Sequence, residues 1–174
     1  MSDWEQNPGM DLAAANALSN FAYFATWSWF IATAIMLSRV DFRERRLPNT
    51  LVLIAYLGGL LGFTVIAFSR ADFTLLVNAA LGSVIASLGY LMIHLFGGMG
   101  MGDVKYAGVI GLYLGSLGWT YLYLGSLISF VGAALWVLPQ MLSNRENRNV
   151  PFGPFMALGV VASGFIAIGV TAGA

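Results

Sequence analysis

Gly97-Gly98-Met99-Gly100-Met101-Gly102-Asp103-Val104-Lys105 ends on the last charge before a run, Tyr106 to Asn144, that contains no Asp, Glu, Lys or Arg. A carboxylate at the mouth of so long an apolar stretch is a membrane-boundary carboxylate. Ionisable groups at that depth cost several kcal/mol on most scales and persist where they have a partner or a task. Asp41, at the end of the first hydrophobic segment, is the partner within reach of such an arrangement.

Composition agrees with this reading across the whole chain. Of 174 residues 59% are hydrophobic and 9% charged, with a mean hydropathy of +0.79; this is the profile of an all-α, polytopic membrane helix bundle. Net charge is zero, which gives no footing for nucleic acid. The chain has no cysteine and one histidine, His94. Disulfides, thiolate metal sites and a cysteine nucleophile are thereby excluded, and neither a metal nor a cofactor is expected. Met1 to Asn20 carries Asp3, Glu5 and Asp11 without a basic residue, the wrong start for a cleavable signal peptide. Residues 1–19 therefore read as a polar arm and 20–174 as the transmembrane domain.

A helix needs roughly twenty apolar residues to cross a bilayer. Counted against that length, the spans run from about Asn20 to Val40, from Thr50 to Phe68 and from about Phe73 to Phe96. Tyr106 to Asn144 makes two short helices broken near Gly115-Ser116-Leu117-Gly118, and a last span runs from about Pro154 to Val170. That gives about six transmembrane helices. Arg39, Arg43, Arg45, Arg46, Lys105, Arg145 and Arg148 then fall on one side and Arg70 alone on the other. Because basic loops stay in the cytoplasm, both termini are expected outside, and Asp41 and Asp103 share the cytoplasmic boundary of the inner membrane.

Shared depth makes a carboxylate pair possible. Two carboxylates a few ångströms apart cannot both ionise comfortably, so one keeps a proton while the other acts as base. Together they can polarise a water and a peptide carbonyl, which is aspartic peptide hydrolysis. Gly100 and Gly102, lacking side chains, would let an extended substrate backbone approach. Each aspartate also has a plainer reading. Asp103 can be an N-cap, and Asp41 can be the acidic member of a solvated cluster with Arg39, Arg43 and Arg45. A small proton- or cation-coupled transporter using the same aspartates is the rival from another class, although both carboxylates lie at one surface and no inverted repeat is visible.

Two strings resemble the type IV prepilin peptidase family, in particular its short members from tight-adherence (Flp/Tad-type) pilus systems. Asp41-Phe42-Arg43-Glu44-Arg45-Arg46-Leu47-Pro48-Asn49 is similar to the family's D-x-R-x-x-x-[IL]-P-N segment, and Gly100-Met101-Gly102-Asp103-Val104-Lys105 to its G-x-G-D-x-K segment. Pro151-Phe152-Gly153-Pro154 resembles the P-[YF]-G-P stretch that opens the family's last helix. The resemblance implies an endopeptidase of the GxGD aspartic type, with Asp41 and Asp103 catalytic. Its substrates would be prepilins, whose short basic leaders are cut at the cytoplasmic face. Longer relatives carry cysteine pairs and also methylate the new N-terminus; this chain lacks cysteine, which weighs against a methyltransferase.

The remaining residues of these strings have physical roles of their own. Pro48 stops the first loop from becoming helix and Asn49 can cap the second span. Arg43, Arg45 and Arg46 suit topology anchoring and contact with anionic membrane lipid. Lys105 is placed to snorkel to the interface. His94 is read as a helix-packing histidine, with a proton relay as its alternative. Trp27, Trp29, Phe30, Trp119, Tyr121, Tyr123 and Trp136 are assigned to interface belts and packing.

Overall fold

A computed structural model describes residues 8–44, 47–96, 99–142 and 152–173. Six helices follow one another: α1 (Pro8–Glu44), α2 (Asn49–Arg70), α3 (Thr74–Leu95), α4 (Met101–Leu117), α5 (Trp119–Leu142) and α6 (Gly153–Gly173). Among the described residues there is no strand. The chain is an all-helical, multi-pass membrane bundle. Arg45, Arg46, Gly97, Gly98, Arg145, Arg148 and Pro151 lie outside the described residues, as do Asp3 and Glu5.

Local chemistry sets the breaks. Pro48, extended at φ −69° and ψ 128°, precedes α2, and α2 ends on Ala71 in the left-handed region at φ 50°. Gly118, at φ 121°, separates α4 from α5, a conformation that only glycine adopts without strain. The break expected near Gly115 to Gly118 therefore falls on that last glycine. α1 is longer than the span read from hydropathy, since helix continues through the polar residues before Asn20.

Five helices are long and apolar enough to cross a membrane: Leu12–Glu44, Asn49–Arg70, Thr74–Leu95, Trp119–Pro139 and Gly153–Val170. The exception is α4, whose 17 residues rise about 26 Å at 1.5 Å each. It is also the helix that the others enclose, since every residue from Tyr106 to Gly115 is buried and it packs against α2, α3, α5 and α6. Its closest neighbour is α3, because Gly82, Gly111 and Gly115 let the two backbones touch. Small residues at such contacts are how membrane helices gain packing when lipid is as apolar as the side chains.

Around α4 the core is aromatic at its middle. The ring of Tyr113 lies 4.5 Å from Phe30, 5.2 Å from Phe63 and 5.7 Å from Trp27 between centroids. Trp27 and Phe30 are thus packing residues, whereas Trp29, Trp119, Tyr123 and Trp136 are exposed and available to lipid. The buried face of α1 reads Ser19, Ala22, Thr26, Phe30, Thr33, Ala34, Leu37 and Asp41, a stripe of three- and four-residue steps. Thr26 and Thr33 return their hydroxyls to the carbonyls of Ala22 and Phe30 at 2.6 and 3.0 Å, so polar atoms on this stripe are satisfied inside their own helix.

Candidate active site

Asp41 closes the α1 stripe. One helical turn beyond Leu37, it points inward and is 5% exposed, while its neighbours Phe42, Arg43 and Glu44 are exposed. That placement removes Asp41 from the solvated cluster with Arg39 and Arg43, both of which face outward. Its Oδ2 accepts the backbone N–H of Gly153 at 3.0 Å. Gly153 is the first residue of α6, and the first N–H groups of a helix have no partner within it. Asp41 thus binds the positive end of α6.

Asp103 is the third residue of α4 and is partly buried. The N-cap of α4 is Gly100, extended at φ −74° and ψ 149°. The N-cap reading of Asp103 is therefore corrected: its carboxylate instead reaches back to the Gly100 backbone N–H, the acidic half of a capping box. Burial first, and the Asp41 carboxylate second, push the Asp103 pKa up to about 6, with the Gly100 N–H opposing them. Asp103 precedes the apolar stretch of α4 that begins at Tyr106. The Asp41 contribution, the smaller of the two, is of the sign expected within a carboxylate pair.

Leu47 holds the two halves together. It is buried and fits where glycine leaves room on each side: a Cβ on Gly102 would lie 3.1 Å from the Cβ of Leu47, and one on Gly153 would lie 3.5 Å from its Cδ2. Gly102 thus makes space for Leu47, whereas Gly100 is exposed and meets only the Asp103 carboxylate at 3.4 Å. A second tie runs outside the first. Lys105 Nζ donates to Asn49 Oδ1 at 2.9 Å, and Asn49 is not the side-chain cap of α2, which has none. Asn49 is the first residue of the helix, one past the cap position held by Pro48, and Lys105 ends at the exposed rim. Pro48 sets the turn between them.

His94, near the end of α3, bonds through Nδ1 to the Met99 carbonyl at 2.7 Å. It pins the loop that carries Gly100. The backbone N–H of Gly153, the wedge of Leu47 and two buried tyrosines, Tyr90 and Tyr106, were not read from sequence as parts of the site. A backbone donor carries no residue signature, and Leu47 is one leucine among many. Tyr106 alone had a visible signal, three residues after Asp103 and so on the same helical face. A groove of about 620 Å³ between α2, α3 and α4, lined by Val52, Tyr56, Ser83, Ser87, Lys105 and Gly108 among others, touches neither aspartate. Among the described residues no three His, Asp or Glu side chains gather as a metal site.

A bundle that holds two acidic side chains at one end, one of them clasped by a helix N-terminus and both taken out of full solvent, has the outline of a membrane hydrolase. The type IV leader peptidase family model matches residues 28–138, the stretch that contains both aspartates, and the chain belongs to that family. The prepilin leader peptidase/N-methyltransferase of Escherichia coli (strain K12) is 28% identical over 168 residues, covering 89% of this chain and 70% of that relative. No solved structure matches the chain. Family membership makes the protein a membrane peptidase and sets aside the transporter reading of the same aspartates.

Proposed function

We propose that the chain is an aspartic endopeptidase that cuts the leader from prepilins, with Asp41 and Asp103 as its reacting pair. The observation that carries the reading is electrostatic and structural at once: Asp103 is held near pKa 6 by burial and by Asp41, while Asp41 is clasped by the Gly153 N–H. The pair then divides its labour. Asp103 keeps a proton to polarise the scissile carbonyl and later to supply the leaving amine, and Asp41 takes a proton from the attacking water. Water adds to the carbonyl carbon, the peptide C–N bond breaks, and the protons return to the pair.

The relative's name supports a prepilin as substrate. Prepilins of Flp/Tad-type pili are the substrates that the resemblance of the two motifs implies. With the pair at the bundle end, a substrate's apolar helix can stay in the bilayer while the cut falls at its edge. Exposed Gly100 leaves backbone-width space beside Asp103 for that extended segment. Arg43, exposed one residue pair beyond Asp41, suits lipid headgroups at the same boundary.

Cleavage of a detergent-solubilised prepilin by the purified protein is the direct test. The reaction should survive chelators, thiol reagents and serine-directed acylating agents, and carboxylate modification should abolish it. Restoration of an EDTA-killed activity by a divalent metal would overturn the pair. The pH profile carries the sign of the mechanism. Below the lower apparent pKa of the pair the base is protonated and the rate falls; above about 6 in the free enzyme Asp103 loses its proton, so kcat/KM should decline there as well. A rate that rises steadily through pH 8 would contradict Asp103 as the acid.

We also place the pair at the cytoplasmic face, with both termini outside, on the asymmetry of basic residues. The chain has no cysteine, so single introduced thiols report topology cleanly. Ser69→Cys should react with an impermeant thiol reagent from outside the inner membrane, and Glu44→Cys should not. Labelling of Glu44→Cys from outside would reverse the orientation.

A further inference from the structure

Two buried tyrosines, one on each of the packed helices α3 and α4, have uncommitted hydroxyls among the described residues. Tyr90 on α3 is 4% exposed and Tyr106 on α4 is 1% exposed, and among the described residues neither hydroxyl has a hydrogen-bond partner. Other buried or half-buried tyrosines differ: Tyr56 pairs with Ser83 at 2.9 Å and Tyr113 donates to the Thr26 carbonyl at 3.4 Å. Native interiors seldom leave a buried hydroxyl unpaired, because its desolvation is then uncompensated.

Placement gives the orphans a common purpose. The Tyr90 ring packs against Phe130 at 5.4 Å and edge-on against Phe152 at 6.1 Å, and Phe152 immediately precedes the Gly153 that binds Asp41. Tyr90 therefore lies beside the segment that carries the Asp41 clasp, within electrostatic reach of Asp103. Tyr106 shares α4 with Asp103 but lies within electrostatic reach of Asp41. The attachments cross: each helix partner of the pair is backed by a phenol from another segment. A phenol can donate, and an ionised carboxylate only accepts. Oδ2 of Asp41 is occupied by Gly153, leaving Oδ1 for a second donor.

We propose that Tyr106 and Tyr90 are positioning residues of the aspartate pair, Tyr106 donating its hydroxyl hydrogen bond to Asp41 and Tyr90 donating its own to Asp103 during turnover. This rests on the reading of Asp41 and Asp103 as the reacting groups. The tyrosines keep their protons throughout. Tyr106 holds Asp41 in its ionised, water-activating form, and Tyr90 receives the charge that appears on Asp103 once its proton has gone to the leaving amine.

Among the described residues, the other titratable or charged groups near the pair are bonded elsewhere or exposed. On α3, His94 is bonded to Met99; on α4, Lys105 is bonded to Asn49; on α2, Tyr56 is bonded to Ser83. On α1, Arg39, Arg43 and Glu44 are exposed, and α6 has no titratable side chain.

The test compares Tyr90→Phe, Tyr106→Phe, the Tyr113→Phe control and the two Asp→Asn variants in the full chain. Measured for each are kcat, KM, the pH profile of leader cleavage and the thermal midpoint in detergent. Each site Tyr→Phe change should lower kcat on the order of tenfold to a hundredfold, as loss of an outer-layer partner does, with KM nearly unchanged. Loss of the donor makes the neighbouring carboxylate easier to protonate. Tyr106→Phe should therefore move the acid limb, and Tyr90→Phe the alkaline limb, to higher pH by about one unit.

The thermal midpoints of both should hold or rise, since an unpaired buried hydroxyl has been removed, and Tyr113→Phe should turn over normally. Normal kcat in both site variants, or a lower kcat with both limbs unmoved, overturns the proposal, the second because packing then carries the effect. If those outcomes occur while the Asp→Asn variants are inactive, the aspartate pair stands and only the tyrosines fall. Active Asp→Asn variants would instead remove the pair itself.

Discussion

Asp41→Asn and Asp103→Asn should each slow leader cleavage by roughly a thousandfold or more while leaving the bundle folded. The amide keeps the size of the carboxylate and can still accept the Gly153 N–H that Asp41 Oδ2 takes at 3.0 Å, but it cannot cycle a proton. Stability should change little. At Asp103 an acidic residue is lost from the first turn of α4, worth about 0.3–1 kcal/mol at a helix N-terminus, and relief of the like charge of Asp41 offsets it. Each single variant should therefore insert and melt like the wild type. The double variant should be scarcely slower than either single, because the two groups act as one unit. Glu44→Gln, an exposed carboxylate three residues from Asp41, should cleave normally. Near wild-type turnover by a folded Asp103→Asn protein would reduce Asp103 to a capping residue and take the peptidase mechanism with it.

What could be read from sequence follows the length scales of a bilayer. Apolar runs of membrane-crossing length marked α2, α3, α5 and α6 to within a few residues, whereas α1 begins at Pro8, well before the span read from Asn20; among the described residues the left-handed glycine, Gly118, fell where the long run had to break. Inward direction was harder. A soluble helix announces its buried face by alternating with polar residues, but α1 presents Phe24, Ile31 and Met36 outward and Phe30, Leu37 and Asp41 inward. Hydropathy does not separate such faces, so nothing in the pattern of α1 marks Asp41 as inward-facing. The side-chain cap assigned to Asn49 failed by one position: α2 starts at Asn49 itself and the cap falls on Pro48, while the Asn49 oxygen accepts from Lys105, fifty-six positions away. The clasp from Gly153 is a backbone contact between residues 112 positions apart. No local pattern encodes it, although the string around Phe152-Gly153-Pro154 did stand out by its resemblance to the stretch that opens the family's last helix.

Two glycine-to-alanine substitutions should fail in opposite ways, and the contrast separates fold from site. At Gly111 an added Cβ would run into the backbone carbonyl of Gly82 and come within 2.6 Å of the Ala86 Cβ. Neither obstacle can rotate away, so α3 and α4 must part. Overpacking costs about 1–3 kcal/mol, occasionally more, against the gain of up to about 1 kcal/mol that alanine brings to a helix interior. Backbone-on-backbone contact sits at the upper end of that range, and Gly111→Ala should lower the thermal midpoint in detergent and the yield of inserted protein together. At Gly153 the obstacle is different: the new Cβ would lie 2.9 Å from Oδ2 of Asp41, the end of a side chain that can turn aside. The bundle should survive, melting within a few degrees of wild type. Asp41 would leave its donor, however, and a displacement near 1 Å at a reacting group costs on the order of a hundredfold in rate. Purified Gly153→Ala should thus be folded and nearly inactive, with kcat rather than KM bearing the loss. Full activity in that variant would show that the hold of Gly153 on Asp41 is dispensable, and that the carboxylate finds its working position without the N-terminus of α6.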